Sequence, residues 1–118
     1  MSQILLFVKD FELGTKISTA CVDSGYSVDF SDEDSDPDSF KSDILVAFVD
    51  LDEKVFSSVG LVAELKRRNV NVVGIMNKIN NKKRSKLQSA GCKIIFPKSS
   101  VVKSLPKLLD ELSSRINN

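Results

Sequence analysis

The chain of 118 residues contains no histidine, no tryptophan, one tyrosine and two cysteines. Without histidine, the Ser-His-Asp and Cys-His arrangements of nucleophilic catalysis are excluded, as are the usual zinc ligand sets. Cys21 and Cys92 lie far apart, with no CxxC spacing. They read as reduced packing residues, because a free thiol behaves as a small hydrophobe and disulfides are rare in the cytosol. No apolar run approaches the roughly 20 residues that span a bilayer. The short apolar run near the N-terminus has no basic residue before it and is expected to be a first strand, not a signal peptide. A cytoplasmic protein with no membrane association is therefore expected. Lys9-Asp10-Phe11-Glu12-Leu13-Gly14 is not a glycine-rich phosphate-binding turn, and no Walker A motif is present. Nothing pairs a nucleophile with a base, so the reading is that the chain is not an enzyme and has no catalytic residues.

What is present is a regular alternation of strands and helices. Ile44 to Val49 is a continuous apolar run between Asp43 and Asp50. Such a run suits a strand buried on both faces, in the middle of a parallel sheet. Asp50 would then lie at its carboxyl end, where open α/β sheets place their ligands. Gln3–Val8 reads as the first strand. Phe11–Ser24 reads as a helix, with Leu13, Ile17, Ala20, Cys21 and Ser24 on one face and Gly25 as its stop. Tyr26–Phe30 alternates and reads as a short strand nearer the sheet edge. A helix over Val59–Arg68, with Val59, Val62, Ala63 and Lys66 on one face, is followed by a strand at 71–76. A strongly polar helix spans Ile79–Ala90, a fifth strand Lys93–Phe96. Ser104 is expected to cap a last helix, with Pro106 near its first turn and Leu105, Leu108, Leu109, Leu112 and Ile116 as its apolar stripe.

This order predicts a single α/β domain over 1–118. The expected architecture is a flavodoxin-like three-layer sandwich, with a five-stranded parallel sheet of order 2-1-3-4-5 and its second helix shortened or lost. The segment Ser31–Ser39, where that helix would stand, is dense in acids and contains Pro37. Asp32, Asp34 and Asp36 imitate the start of a calcium loop, but Pro37 replaces the turn glycine and the closing glutamate is missing. A solvated acidic connection is the plainer reading.

The net charge of +1 conceals an asymmetry: residues 1–53 carry 13 acids and 3 bases, residues 54–118 carry 3 acids and 14 bases. In the expected strand order the acids gather toward one sheet edge and the bases toward the other. The bases concentrate in Lys78, Lys82, Lys83, Arg84 and Lys86. That segment attracts acidic partners or nucleic acid. For nucleic acid, however, no binding motif accompanies it and the acidic half repels.

Three features make the chain resemble a response-regulator receiver domain over nearly its whole length. One is Ile4-Leu5-Leu6-Phe7-Val8-Lys9-Asp10 with the following helix and Ser24-Gly25-Tyr26-Ser27-Val28. Another is the central strand closing on Asp50. The third is Ser89-Ala90-Gly91-Cys92-Lys93-Ile94-Ile95-Phe96-Pro97-Lys98, where the lysine stands seven residues after the glycine. The resemblance implies a phosphoacceptor at Asp50 and a phosphoryl-contacting Lys98. It implies a metal-side acid at Asp10, with Asp10 and Asp50 as candidate magnesium ligands. Lys9 stands where the family has a further acid, and Asn77 where it has a hydroxyl. Counting back from Gly60 brings Asp52 to the acceptor position instead, so Asp52 joins the expected pocket. With these departures the expectation is a pseudo-receiver that needs no cofactor and works by protein contact. It would meet a partner, or another copy, through the face built by the fourth strand, the helix 79–90 and the fifth strand, using Lys82, Lys83, Arg84 and Lys86. The alternatives are an atypical phospho-receiver using Asp50, with magnesium, and a nucleic-acid or acidic-partner binder through residues 78–86.

Overall fold

The computed structural model describes residues 3–32, 44–56, 59–77, 80–92 and 94–117. Its elements are β1 (Gln3–Phe7), α1 (Phe11–Asp23), β2 (Ser27–Phe30), β3 (Ile44–Asp50), a 3-10 turn (Lys54–Phe56), α2 (Val59–Arg67), β4 (Asn71–Met76), α3 (Asn81–Ala90), β5 (Ile94–Pro97) and α4 (Lys98–Asn117). The five strands form one parallel sheet of order β2-β1-β3-β4-β5. This is the flavodoxin-like architecture expected. The anticipated shortening or loss of a helix between β2 and β3 falls on 33–43, outside the described residues, as do the calcium-like acids Asp34 and Asp36.

β3 occupies the middle because its side chains from Leu45 to Asp50 suit burial on both faces. Successive side chains of a strand point to opposite faces. Val46 and Phe48 therefore join Ile4, Leu6, Val73 and Ile75 beneath α1 and α4, while Ala47 and Val49 join Leu5, Phe7 and Val72 beneath α2 and α3. On the first face, Leu13, Ile17 and Cys21 of α1 meet Val101, Leu105, Leu108, Leu109 and Leu112 of α4. On the second, Val62, Leu65, Leu87 and Cys92 pack around the buried Phe56. The ring of Phe56 meets Phe7 edge-on, with centroids 5.6 Å apart. Each fully buried aliphatic or aromatic side chain of this kind contributes roughly 1.5–3 kcal/mol. Burial also pushes the Cys21 thiol up to about 12 and the Cys92 thiol up to about 11. Both remain protonated, unreactive packing groups at neutral pH.

The helix ends follow local chemistry. Asp10 caps α1, its Oδ1 accepting from the Leu13 N–H at 3.0 Å. Asn80 caps α3, accepting from the N–H groups of Lys82 at 3.0 Å and Lys83 at 3.2 Å. Gly25 (φ 92°) and Gly91 (φ 123°) stop α1 and α3 in the left-handed region, as their positions in the sequence predict. α2 buries Val62 and Leu65 and leaves Ala63 exposed, so its inner face lies beside the row expected from spacing.

Two expectations need correction. α4 begins at Lys98, not behind a cap at Ser104, and Pro106 lies inside it. Val101 is fully buried against α1 and the sheet, which draws the preceding turn into the helix. The Ser100 hydroxyl donates to the Pro97 carbonyl at 3.4 Å. Pro106 withdraws one backbone donor, but it faces solvent, and the leucines around it anchor the helix. β5, in turn, runs through Pro97, which is tolerated because β5 is an edge strand. Among the described residues, no helix is long and apolar enough to cross a membrane.

Candidate functional site

Parallel strands bring all their carboxyl ends to one edge of the sheet. Phe7 pairs with Val49, Asp50 with Ile75, and Met76 with Pro97. The residues that follow, Lys9-Asp10, Asp50–Asp52, Asn77 and Lys98, therefore share that edge. The sheet brings together most of what the sequence singled out.

Asp50 is 3% exposed, one of two buried polar residues among those described. Its Oδ1 accepts from the Asp52 N–H at 3.1 Å, closing a turn of the kind aspartate favours two residues ahead of the donor. The Lys98 Nζ lies 3.6 Å from the same oxygen and 3.2 Å from Asp52 Oδ2. Asp52 Oδ2 also accepts from the Asn77 N–H at 2.6 Å. One ammonium thus joins two carboxylates, and Asp52 ties the loop after β3 to the end of β4 and the start of α4. Asn77 contributes its backbone to this network, whereas the sequence marked its side chain.

The electrostatics are unequal. Burial pushes the Asp50 carboxyl above the ordinary aspartate range, and the Asp52 N–H and the Lys98 charge pull it back only in part. Burial works to lower the Lys98 pKa, but its bond to Asp52 and the fields of Asp50, Asp52 and Asp10 outweigh that, so it is raised on balance. Asp50 bears the cost of desolvation, and Lys98, nearer to water, gains the attraction.

The other expected pocket residues are turned elsewhere. Asp10 is committed to capping α1 and reaches Lys98 through its field. Lys9 is exposed, its Nζ 6.0 Å from the centre of the Phe56 ring, at the edge of cation–π range. Lys83, which the sequence assigned to the outer basic face, sends its Nζ to the Leu51 carbonyl at 3.3 Å. It brings a second cation to the edge where Asp50 lies. Its place in the first turn of α3 is the signal available in the sequence, because side chains there lean toward the helix N-terminus and hence toward the strand ends. Lys82, Arg84 and Lys86 remain exposed. Lys78 lies outside the described residues.

The donor set does not fit a magnesium ion as arranged. Magnesium needs near-octahedral oxygen ligands at about 2.0–2.1 Å. Here Lys98 holds the space between Asp50 and Asp52, and Asp10 is turned to its helix. Among the described residues, no three acidic or cysteine side chains converge as a metal site.

No protein-family model matches the chain, and no curated protein matches it in sequence. Solved structures do match its shape. The signal receiver domain of a DNA-binding response regulator from Colwellia psychrerythraea superposes with a TM-score of 0.80 at 15% identity, over 97% of this chain and 99% of that one. A response regulator from Thermotoga maritima gives 0.78 at 14%, over 97% and 98%. An orphan response regulator of H. pylori gives 0.69 at 16%, over 97% and 95%. The fold is that of response-regulator receiver domains, the resemblance expected from Asp50, Gly91 and Lys98.

Proposed function

We propose that residues 1–118 form one receiver-like signalling domain that acts by protein contact, without catalysis and without conventional magnesium-dependent phosphorylation of Asp50. The observation that carries this reading is the position of Lys98 between Asp50 and Asp52, where a metal would need the same carboxylates. The departures at Lys9 and Asn77 support it. A cytoplasmic setting belongs to the same proposal and agrees with two buried, unbridged thiols.

Addition of magnesium and beryllofluoride to the 15N-labelled protein tests the reading. The expected result is no saturable shift at Asp10, Asp50, Asn77 or Lys98. Saturable shifts there would establish the atypical phospho-receiver in its place.

For the contact surface, the charge distribution favours the face of β4, α3 and β5. Lys82, Arg84 and Lys86 are exposed on α3, and Lys66 and Arg67 on the neighbouring α2. Asp29 and Asp32 are exposed at the opposite, β2 edge. An acidic protein surface, or the acidic edge of a second copy, is the complementary partner, with attraction that salt screens. Sedimentation velocity at about 20 mM and about 500 mM salt separates the two. Self-association predicts a larger species at low salt that Lys82→Glu/Lys86→Glu abolishes. Identical monomers at both salts would leave only a different acidic protein as partner.

A further inference from the structure

A cavity lies beside α1, lined by neither Asp50 nor Lys98. It has a volume of about 400 Å³ and sits where the first turns of α1 meet the carboxyl end of β2. Asp10, Phe11, Thr15, Ser18, Thr19 and Phe30 line it, together with Val8 and Lys9. Phe11 is 86% exposed and Phe30 58%. With Val22 they are the exposed large hydrophobic residues among those described, and two of the three face this one hollow. Grouped exposed apolar side chains mark contact sites, whereas scattered ones need no explanation.

The sequence builds the hollow deliberately. Thr15 and Ser18 follow Phe11 at i+4 and i+7, so one stripe of α1 carries an aromatic ring and then hydroxyls. The opposite stripe, Leu13, Ile17 and Cys21, is buried in the core. Gly14 supplies the remaining condition. A Cβ there would stand 3.0 Å from the Phe30 ring, so glycine lets that ring lie against the helix as a wall of the cavity.

The lining defines its ligand. Two phenyl rings offer apolar π-surfaces suited to offset or edge contact with another flat ring. Three hydroxyls both donate and accept, and the Asp10 carboxylate only accepts. A ligand that satisfies all of these is flat and carries donors and acceptors around its rim. The volume is near the lower end of small-molecule sites, which suits one fused ring system and not a dinucleotide. We propose that this cavity binds a purine-sized, planar nitrogen heterocycle, its face on Phe11 and Phe30 and its polar edge on Thr15, Ser18, Thr19 and Asp10.

The test is titration of the 15N-labelled full chain with adenine and with hypoxanthine. Saturable shifts are expected at Asp10–Thr19 and Phe30, with no shifts along Lys82–Lys86. Stacking on a ring is sequence-tolerant and substantial, so Phe30→Ala and Phe11→Ala should each weaken binding roughly tenfold. Both residues are exposed, so the folded spectrum should otherwise persist. Val22→Ala, on the same helix but outside the cavity, should bind as the parent does. The absence of saturable shifts with either purine would overturn the proposal. So would binding that survives both phenylalanine substitutions unchanged.

Discussion

Lys98→Met should destabilise the fold by about 1–3 kcal/mol at neutral pH, the cost expected when a buried charge loses its partner. Asp50 is 3% exposed and would keep only the Asp52 N–H among the interactions that favour its charged form. Its carboxyl, already above the ordinary aspartate range, should rise further. The sign of the pH dependence follows from that direction. The folded state holds a proton on Asp50 more tightly than the unfolded chain does, so stability falls as pH rises from the ordinary aspartate range through the folded value. Above that window the full cost is present; below it the carboxyl is neutral in both states and the cost is gone. The deficit of Lys98→Met should therefore be largest near pH 7 and shrink toward pH 4. Lys98 has the opposite sense. Raised in the fold, it stabilises fully below the ordinary lysine range, and that stability is lost as pH rises through its folded value. The variant should lack this alkaline loss. Urea titrations across pH, with carboxyl carbon shifts for Asp50, measure both effects. Asp50→Asn should relieve the Lys98→Met deficit when the two are combined. Equal deficits at pH 4 and pH 7 would show that lost packing, not charge, is responsible.

Gly74→Val should be the more damaging substitution, at about 3 kcal/mol, the upper end of the cost of overpacking. Gly74 lies in β4 between Val49 and Ile95. An added Cβ would stand 2.5 Å from Leu51 Cδ1 and 3.1 Å from Cys92 Sγ. Leu51 and Cys92 are both fully buried, so neither can swing into solvent. Leu51 is also the link between Asp50 and Asp52, and its carbonyl accepts from Lys83. Displacing it should disturb the site along with the core. A thermal midpoint lowered by roughly 10 °C is expected, with Gly74→Ala intermediate. Retained stability in Gly74→Val would mean that Leu51 and Cys92 repack freely.

The fold was legible because its signals are local and repeated. Apolar runs marked the strands, Gly25 and Gly91 marked helix ends, and the alternation left one economical layout. The start of α4 was misread because Ser104 and Pro106 look like a helix entrance, while the burial of Val101 against α1 depends on tertiary contact. The site was legible in membership more than in wiring. Asp50, Asp52, Asn77 and Lys98 do meet at one edge. That Asp52 takes both the lysine and the Asn77 backbone donor just past β4 depends on loop geometry, which residue type does not encode. Lys83 was assigned to the surface because it stands in a run of cations, and only the side of the first turn that it occupies distinguishes it from Lys82 and Arg84. The cavity at Phe11 and Phe30 joins residues from α1 and β2, and spacing along one element cannot reveal such a pair.

β5 ends at Pro97 and α4 starts at Lys98, so no loop separates the edge strand from the longest helix. The ammonium beside Asp50 is consequently mounted on a rigid rod. Its only slack is the four-carbon side chain. Val101, Leu105 and Leu108 share one core with Leu13, Ile17 and Cys21, so the backbone that carries this charge is anchored through the packing of α4 on α1.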